Sequence, residues 1–251
     1  MTVGFAKSRR KPRPKKALTR QPRRVLSKDM IVVAALELID RAGIESFSVR
    51  NVAKKLHVFP TAIYWHVGDR NKLLGDVLAL VLRDLSSAED AATWQDWIRA
   101  LFIRYREIIR KHPNVALLIG VQLVANANVD FALIETILTR LEQAGFAGAK
   151  LVAAYNVVLG GMVGFTTHEF ARVPDDNTAA WRSLVRRNIA ALDSRHFPRI
   201  ARHLPALTNK AFILRWQNGV DVPLDDGFAM FTEALIRGLE AIAHQKVRSR
   251  R

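Results

Sequence analysis

The feature that most constrains this chain is a pair of helical stretches too short to stand alone. From Ser48 to Val67 the sequence SVRNVAKKLHVFPTAIYWHV holds two segments of about two helical turns, parted by three residues. Val49, Val52, Ala53 and Leu56 fall at i, i+3, i+4 and i+7, which is one face of a helix. Ser48 stands where a capping hydroxyl is needed. His57-Val58-Phe59 reads as a tight turn, and Pro60 suits the first position of the next helix, where its missing N–H costs nothing. Helices this short are marginal in water, so both must lie against a larger body. Two short helices joined this tightly are the outline of a helix-turn-helix.

The flanks continue the pattern. Val32, Ala35, Leu36 and Ile39 predict a preceding helix, with Ser27 as its cap, Asp29 in its first turn and Gly43 at its end. After Gly68, Asp69 is placed to cap a helix running from Arg70 to Leu85. Longer helices are expected over Trp94–Lys111, Val115–Ala125, Phe131–Ala144, Lys150–Arg172, Ala179–Leu192 and Gly227–His244, with a loop-rich stretch from Arg195 to Asp226. No segment alternates as a strand does. The expected fold is all-α with about ten helices: an arm over 1–26, a helix-turn-helix domain over 27–85 and a larger helical domain over 86–251.

Charge is distributed unevenly. The chain of 251 residues carries a formal net charge of +16, and its two tails hold almost all of it. Residues 1–26 hold ten basic side chains and no acidic one, and residues 244–251 hold four more. The arm reads as a phosphate-following segment that adds salt-sensitive affinity. Prolines 12, 14 and 22 interrupt it, so it lacks the apolar stretch of a secretory signal. The longest apolar run, Leu151–Phe165, is shorter than a membrane span and reads as a buried helix. The absence of cysteine excludes disulfides and thiolate metal sites. The expected location is the cytoplasm, with no membrane partner.

Placed at 100° per residue, Pro60–Val67 puts Ile63 and Val67 on one side and Thr61 and Trp65 opposite. Ala62 and Tyr64 fall on the flanks and His66 nearer the core side. Thr61 can bond a base edge or a phosphate, Ala62 allows close approach, and Tyr64 and Trp65 suit a sugar-phosphate wall.

These residues carry a resemblance. The run from Ser48 to Leu56, together with Pro60-Thr61-Ala62-Ile63-Tyr64-Trp65-His66-Val67, resembles the DNA-binding core of the tetracycline-repressor family. Arg70-Asn71-Lys72-Leu73-Leu74 is similar to the start of that family's fourth helix. The resemblance covers roughly residues 27–80. It implies that Arg50 reaches a guanine and that Pro60, Thr61 and Ala62 lie at the bases. It also implies that Tyr64, Trp65 and His66 meet the backbone, and that Arg70 and Lys72 meet phosphates. Two positions depart from the family pattern: His57 replaces a turn glycine and Phe59 a small polar cap.

The resemblance further implies a homodimer on a palindromic operator in double-stranded DNA, with two long C-terminal helices in the subunit interface. Lys150–Arg172 and Gly227–His244 are apolar on more than one face, and Gly160, Gly161 and Gly164 suit close helix approach. A small-molecule effector is expected, with Phe102, Tyr105, Gln122, Asn126, Tyr155, Asn156, Phe165 and His168 as candidate lining. No cofactor is expected, and no His, Asp or Glu set has metal-ligand spacing. An enzyme is disfavoured: the sequence has no cysteine nucleophile, no phosphate-cradling glycine loop and no acid–base pair. His168 and Glu169 are adjacent and therefore point about 100° apart on a helix. The competing reading is a non-specific nucleic-acid binder driven by its cationic tails.

Overall fold

The computed structural model describes residues 25–85, 91–122, 130–174 and 178–244; side chains of 120–122 are not among those described. All regular structure among the described residues is helical. The first four helices are α1 (Lys28–Ala42), α2 (Val49–Leu56), α3 (Pro60–Val67) and α4 (Arg70–Val81). Their starts follow local chemistry. Ser27 accepts from the Met30 N–H at 3.3 Å, Ser48 from Asn51 N–H at 3.1 Å, and Asp69 from Lys72 N–H at 2.8 Å. Each satisfies a donor that the first turn cannot pair within the helix. Gly43, at φ 76°, ends α1 in a conformation that disfavours a side chain.

Ile31, Ala35, Ile39, Val52, Ile63, Leu73 and Val77 are buried and form the common core of these four helices. That core is what stabilises α2 and α3. Each fully buried aliphatic side chain contributes about 1.5–3 kcal/mol, more than a two-turn helix can supply from its own propensity. The fourth helix stops at Val81, four residues before the expected end, and turns carry the chain to a buried Leu85.

The larger half comprises α5 (Trp94–Lys111), a 3₁₀ turn at Pro113–Val115, α6 (Ala116–Gln122), α7 (Phe131–Gln143), α8 (Gly148–Glu169), α9 (Thr178–Ala190), α10 (Pro198–Leu207) and α11 (Asp225–His244). The central element is α8, which packs against α5, α6, α7 and α11. Two expectations change. The stretch 195–226 is not all loop: α10 occupies ten residues of it, starting at Pro198 and carrying Pro205 inside. Prolines read as breakers there, yet Pro198 sits at a helix start, where proline is tolerated. Nor is Leu151–Phe165 buried all round. Ala154, Val158 and Met162 are buried, but Val152 and Val157 on α8 remain about half exposed. By length and apolar composition α8 could cross a membrane; in this fold one face of it is core.

The two halves meet at the end of α1. Asn114 Nδ2 donates to the carbonyls of Ile39 at 3.0 Å and Asp40 at 2.8 Å, in the last turn of α1. His112 Nδ1 lies 2.8 Å from Asp40 Oδ2, and Arg172 Nη1 donates to Glu45 at 2.8 Å.

Candidate nucleic-acid interface and ligand groove

The turn between α2 and α3 is set by His57, at φ 56° and ψ 41° in the left-handed region. His57 N–H donates to the Lys54 carbonyl at 3.2 Å and Val58 N–H to the Ala53 carbonyl at 3.0 Å. That pair of bonds closes the end of α2 as a glycine would, and histidine tolerates the backbone better than most residues. Phe59 then runs extended and makes no side-chain capping bond.

Only Ile63 and Val67 of α3 are buried. Thr61, Tyr64, Trp65 and His66 are exposed, and Pro60 and Ala62 are half-buried. His66 therefore departs from its expected place near the core. The buried stripe is a single line of two residues four apart, and His66 lies about 60° from one and 100° from the other. Trp65 is 89% exposed. An indole left so bare on a helix whose opposite side is anchored marks a surface made for contact.

The helices packed with α3 carry several cations. Lys28 and Lys55 are engaged with Asp76 and Glu37. Arg50, Arg70 and Lys72 are exposed and have no carboxylate partner among the described residues. The Arg70 guanidinium lies 5.4 Å from the ring centroid of Phe47, which steadies it without neutralising it. Sequence spacing gave no sign of that stacking.

The described candidate effector residues are scattered between core and surface. Phe102 and Tyr105 are fully buried core residues. Burial pushes the Tyr105 phenol up from its ordinary pKa, and the neighbouring Thr166 hydroxyl opposes that shift. Phe165 is the hub of an aromatic cluster, with ring centroids 5.2 Å from Phe212, 5.5 Å from Phe228 and 5.3 Å from Phe231; Phe102 joins it through Phe231. Asn156 is exposed and Tyr155 half-buried. His168 is exposed, with Nδ1 2.7 Å from the Gly164 carbonyl, and its ring approaches Phe212. Asn126 and the Gln122 side chain lie outside the described residues.

A groove of about 250 Å³ runs instead between α5 and α11, lined by Arg99, Ile103, Arg106, Phe228, Ala229 and Thr232 among others. Beneath it sits Glu169, with 0% of its surface exposed. Its carboxylate accepts from Arg106 Nε at 2.8 Å and Nη2 at 2.6 Å, and from Leu224 N–H at 2.9 Å. Its own carbonyl accepts from Gly219 N–H at 2.7 Å. A Cβ on Gly219 would collide with the Glu169 side chain, so glycine is required at this crossing. Burial works against the Arg106 charge, and the hydrogen bonds it donates to Glu169 and Asp225 outweigh it, leaving the pKa raised. Glu169 thus ties α5 and α8 to the loop between α10 and α11, and Arg106 carries the link on to Asp225 at the start of α11. The sequence offered one sign of it, an acidic residue closing a long apolar helix.

Residues 31–77 match the family model for bacterial regulatory proteins of the tetR family, and residues 87–242 match that of the tetracyclin repressor-like C-terminal domain. An HTH-type transcriptional regulator from Saccharopolyspora erythraea is 31% identical over 195 residues, which is 77% of this chain and 80% of that protein. The HTH-type transcriptional repressor DrrR1 from Streptomyces coeruleorubidus is 23% identical over 236 residues, covering 91% and 82%. Among solved structures, the TetR family protein ActR of Streptomyces coelicolor in complex with actinorhodin superposes with a TM-score of 0.64. It is 20% identical, over 89% of this chain and 99% of that one, a likeness of fold.

Proposed function

The chain belongs to the tetR family of bacterial regulatory proteins, and we propose that it acts as a homodimeric transcriptional repressor released from its operator by a small molecule. The observation that carries the reading is α3, with Ile63 and Val67 anchored and Thr61, Tyr64, Trp65 and His66 bare, and with Arg50, Arg70 and Lys72 on the adjoining helices lacking a carboxylate partner among the described residues. In this role Pro60, Thr61 and Ala62 enter the major groove at the base edges. Tyr64, Trp65 and His66 rest on sugar and phosphate, and Arg50 reaches a guanine through its guanidinium fork. Arg70 and Lys72 neutralise phosphates, and residues 1–26 follow the backbone without choosing sequence.

A second copy covers the exposed faces of α8 and α11. Among the described residues, nothing beyond α8's own backbone lies within 4 Å of a Cβ at Gly160 or Gly164, whereas one at Gly161 would lie 2.6 Å from Leu235 of α11. The first two glycines therefore face away from the chain's own packing. Val152 and Val157 on α8 and Met230 and Ile242 on α11 extend the same apolar exposure. Two subunits place two recognition helices about 34 Å apart, one turn of DNA. The effector enters the helical domain over 86–251, at the α5–α11 groove or by parting the Phe165 cluster. A shift there reaches the domain over 27–85 through His112, Asn114 and Arg172, which hold the end of α1. A DNA-binding regulator of this kind works in the cytoplasm. The name of DrrR1 supports repression, and the ActR complex supports a small-molecule ligand.

The test is binding to the protein's own upstream DNA against random DNA across a salt series. Preference for the upstream site that falls with Tyr64→Ala and Arg50→Ala is the expected result. Equal affinity for both DNAs, with a salt slope that disappears when residues 1–26 are removed, would leave only a tail-driven binder.

A further inference from the structure

We propose that Phe59 is a specificity residue that reads the C5 methyl group of a thymine in each half-site; the assignment rests on the DNA-binding reading above. Phe59 is 81% exposed, while Phe47, Phe102, Phe146 and Phe170 are buried. No described residue covers it, and it does not perform the local task of its position, since no side chain caps α3. A serine, threonine, asparagine or aspartate there would cap the helix and stabilise it. The phenyl ring forgoes that and leaves apolar area in water as well.

The tip of α3 is poor in polar groups around it. Pro60 has no N–H, and Ala62 N–H already donates to the Phe59 carbonyl at 3.0 Å. Pro60 and Ala62 add apolar surface, and Thr61 supplies the only side-chain hydroxyl of the four residues 59–62. The tip is therefore badly suited to holding a phosphate. The N-terminal residues of a recognition helix are the ones that meet base edges. On the major-groove floor the one apolar group is the thymine methyl. A ring beside that methyl removes water from both, which accounts for an aromatic side chain where helix chemistry calls for a hydroxyl.

The experiment uses the full-length chain and duplexes it enriches from a random-sequence pool. Each thymine of the enriched site is replaced singly by deoxyuridine, which deletes the methyl and keeps the base pair. The wild type is expected to lose about fourfold in affinity per half-site at one symmetric position, the worth of one buried methyl. Phe59→Ala is expected to bind the thymine duplex weakly and to be indifferent to deoxyuridine at that position. Phe59→Leu keeps part of the methyl preference. The salt slope stays unchanged in both variants, because no phosphate contact is lost. Phe59→Ala that still discriminates thymine from deoxyuridine everywhere, or a site with no methyl-sensitive position, overturns the assignment while specific binding stands. A pool in which nothing is enriched overturns the DNA-binding reading and this assignment with it.

Discussion

Among single side chains, Glu169 and Trp65 sit at opposite extremes of exposure and should respond oppositely to mutation. Glu169 is buried in a bidentate pair with Arg106, and that arginine also reaches Asp225 at 2.8 Å. Glu169→Gln leaves Arg106 largely desolvated with an exposed partner alone. The expected loss is about 3–5 kcal/mol, the usual cost of breaking a buried pair from one side. Urea denaturation would register it as a lower midpoint at unchanged slope. Trp65 touches no core, so Trp65→Ala should change folding stability by no more than about 0.5 kcal/mol. Its effect belongs to operator affinity, and a large drop in the melting midpoint would show that the indole has a structural task instead. Arg215 adds a third case. Burial lowers its pKa, while Nε and Nη2 donate to the carbonyls of Gln217 at 3.0 Å and Val222 at 2.7 Å. It organises the loop that delivers Leu224 N–H to Glu169.

The elements were readable where their chemistry is local. Ser27, Ser48 and Asp69 cap as expected because an N-cap acts within three residues of itself. His57 keeps the turn that glycine usually makes, at a backbone cost. His57→Val should therefore lose about 1–2 kcal/mol, since a β-branched residue is forced into the left-handed region, while His57→Gly should lose far less. Thermal melts of the two variants would separate them, and equal stability would mean that the turn relaxes to another conformation. The missed element is α10. Its Ile200, Leu204 and Leu207 fall at i, i+4 and i+7 and do form an apolar stripe, but Pro198 and Pro205 read as breakers and hid it. Its Ile200 and Leu204 face α9 across a second groove of about 320 Å³, with Val185 and Ile189 on the other wall.

Across the whole molecule, the uncovered faces of α8 and α11 bear on assembly. Val157→Glu places a charge in the proposed subunit interface without touching the core of one chain. Sedimentation should then shift from dimer toward monomer, with helical circular dichroism unchanged. Operator affinity should collapse, because a monomer offers one recognition helix and half a palindrome. A variant that stays dimeric would place the interface elsewhere. The junction at α1 carries a second expectation. Asn114→Ala removes two hydrogen bonds between the halves, and should weaken the response of DNA binding to effector more than it weakens binding itself.

What the sequence determined by itself is the helix-turn-helix: its two short helices, their caps, the anchored pair Ile63 and Val67, and the bare aromatic face beside them. Those follow from residues within four or five positions of one another, where helical period and capping geometry leave few choices. The tertiary structure decided the rest. It placed Glu169 under Arg106 across 63 positions, stacked Arg70 on Phe47, gathered Phe212, Phe228 and Phe231 around Phe165, and exposed His66. Each of these depends on which helices lie side by side. Helix packing is set by the shapes of whole surfaces meeting, and no short run of residues records which surface will be opposite.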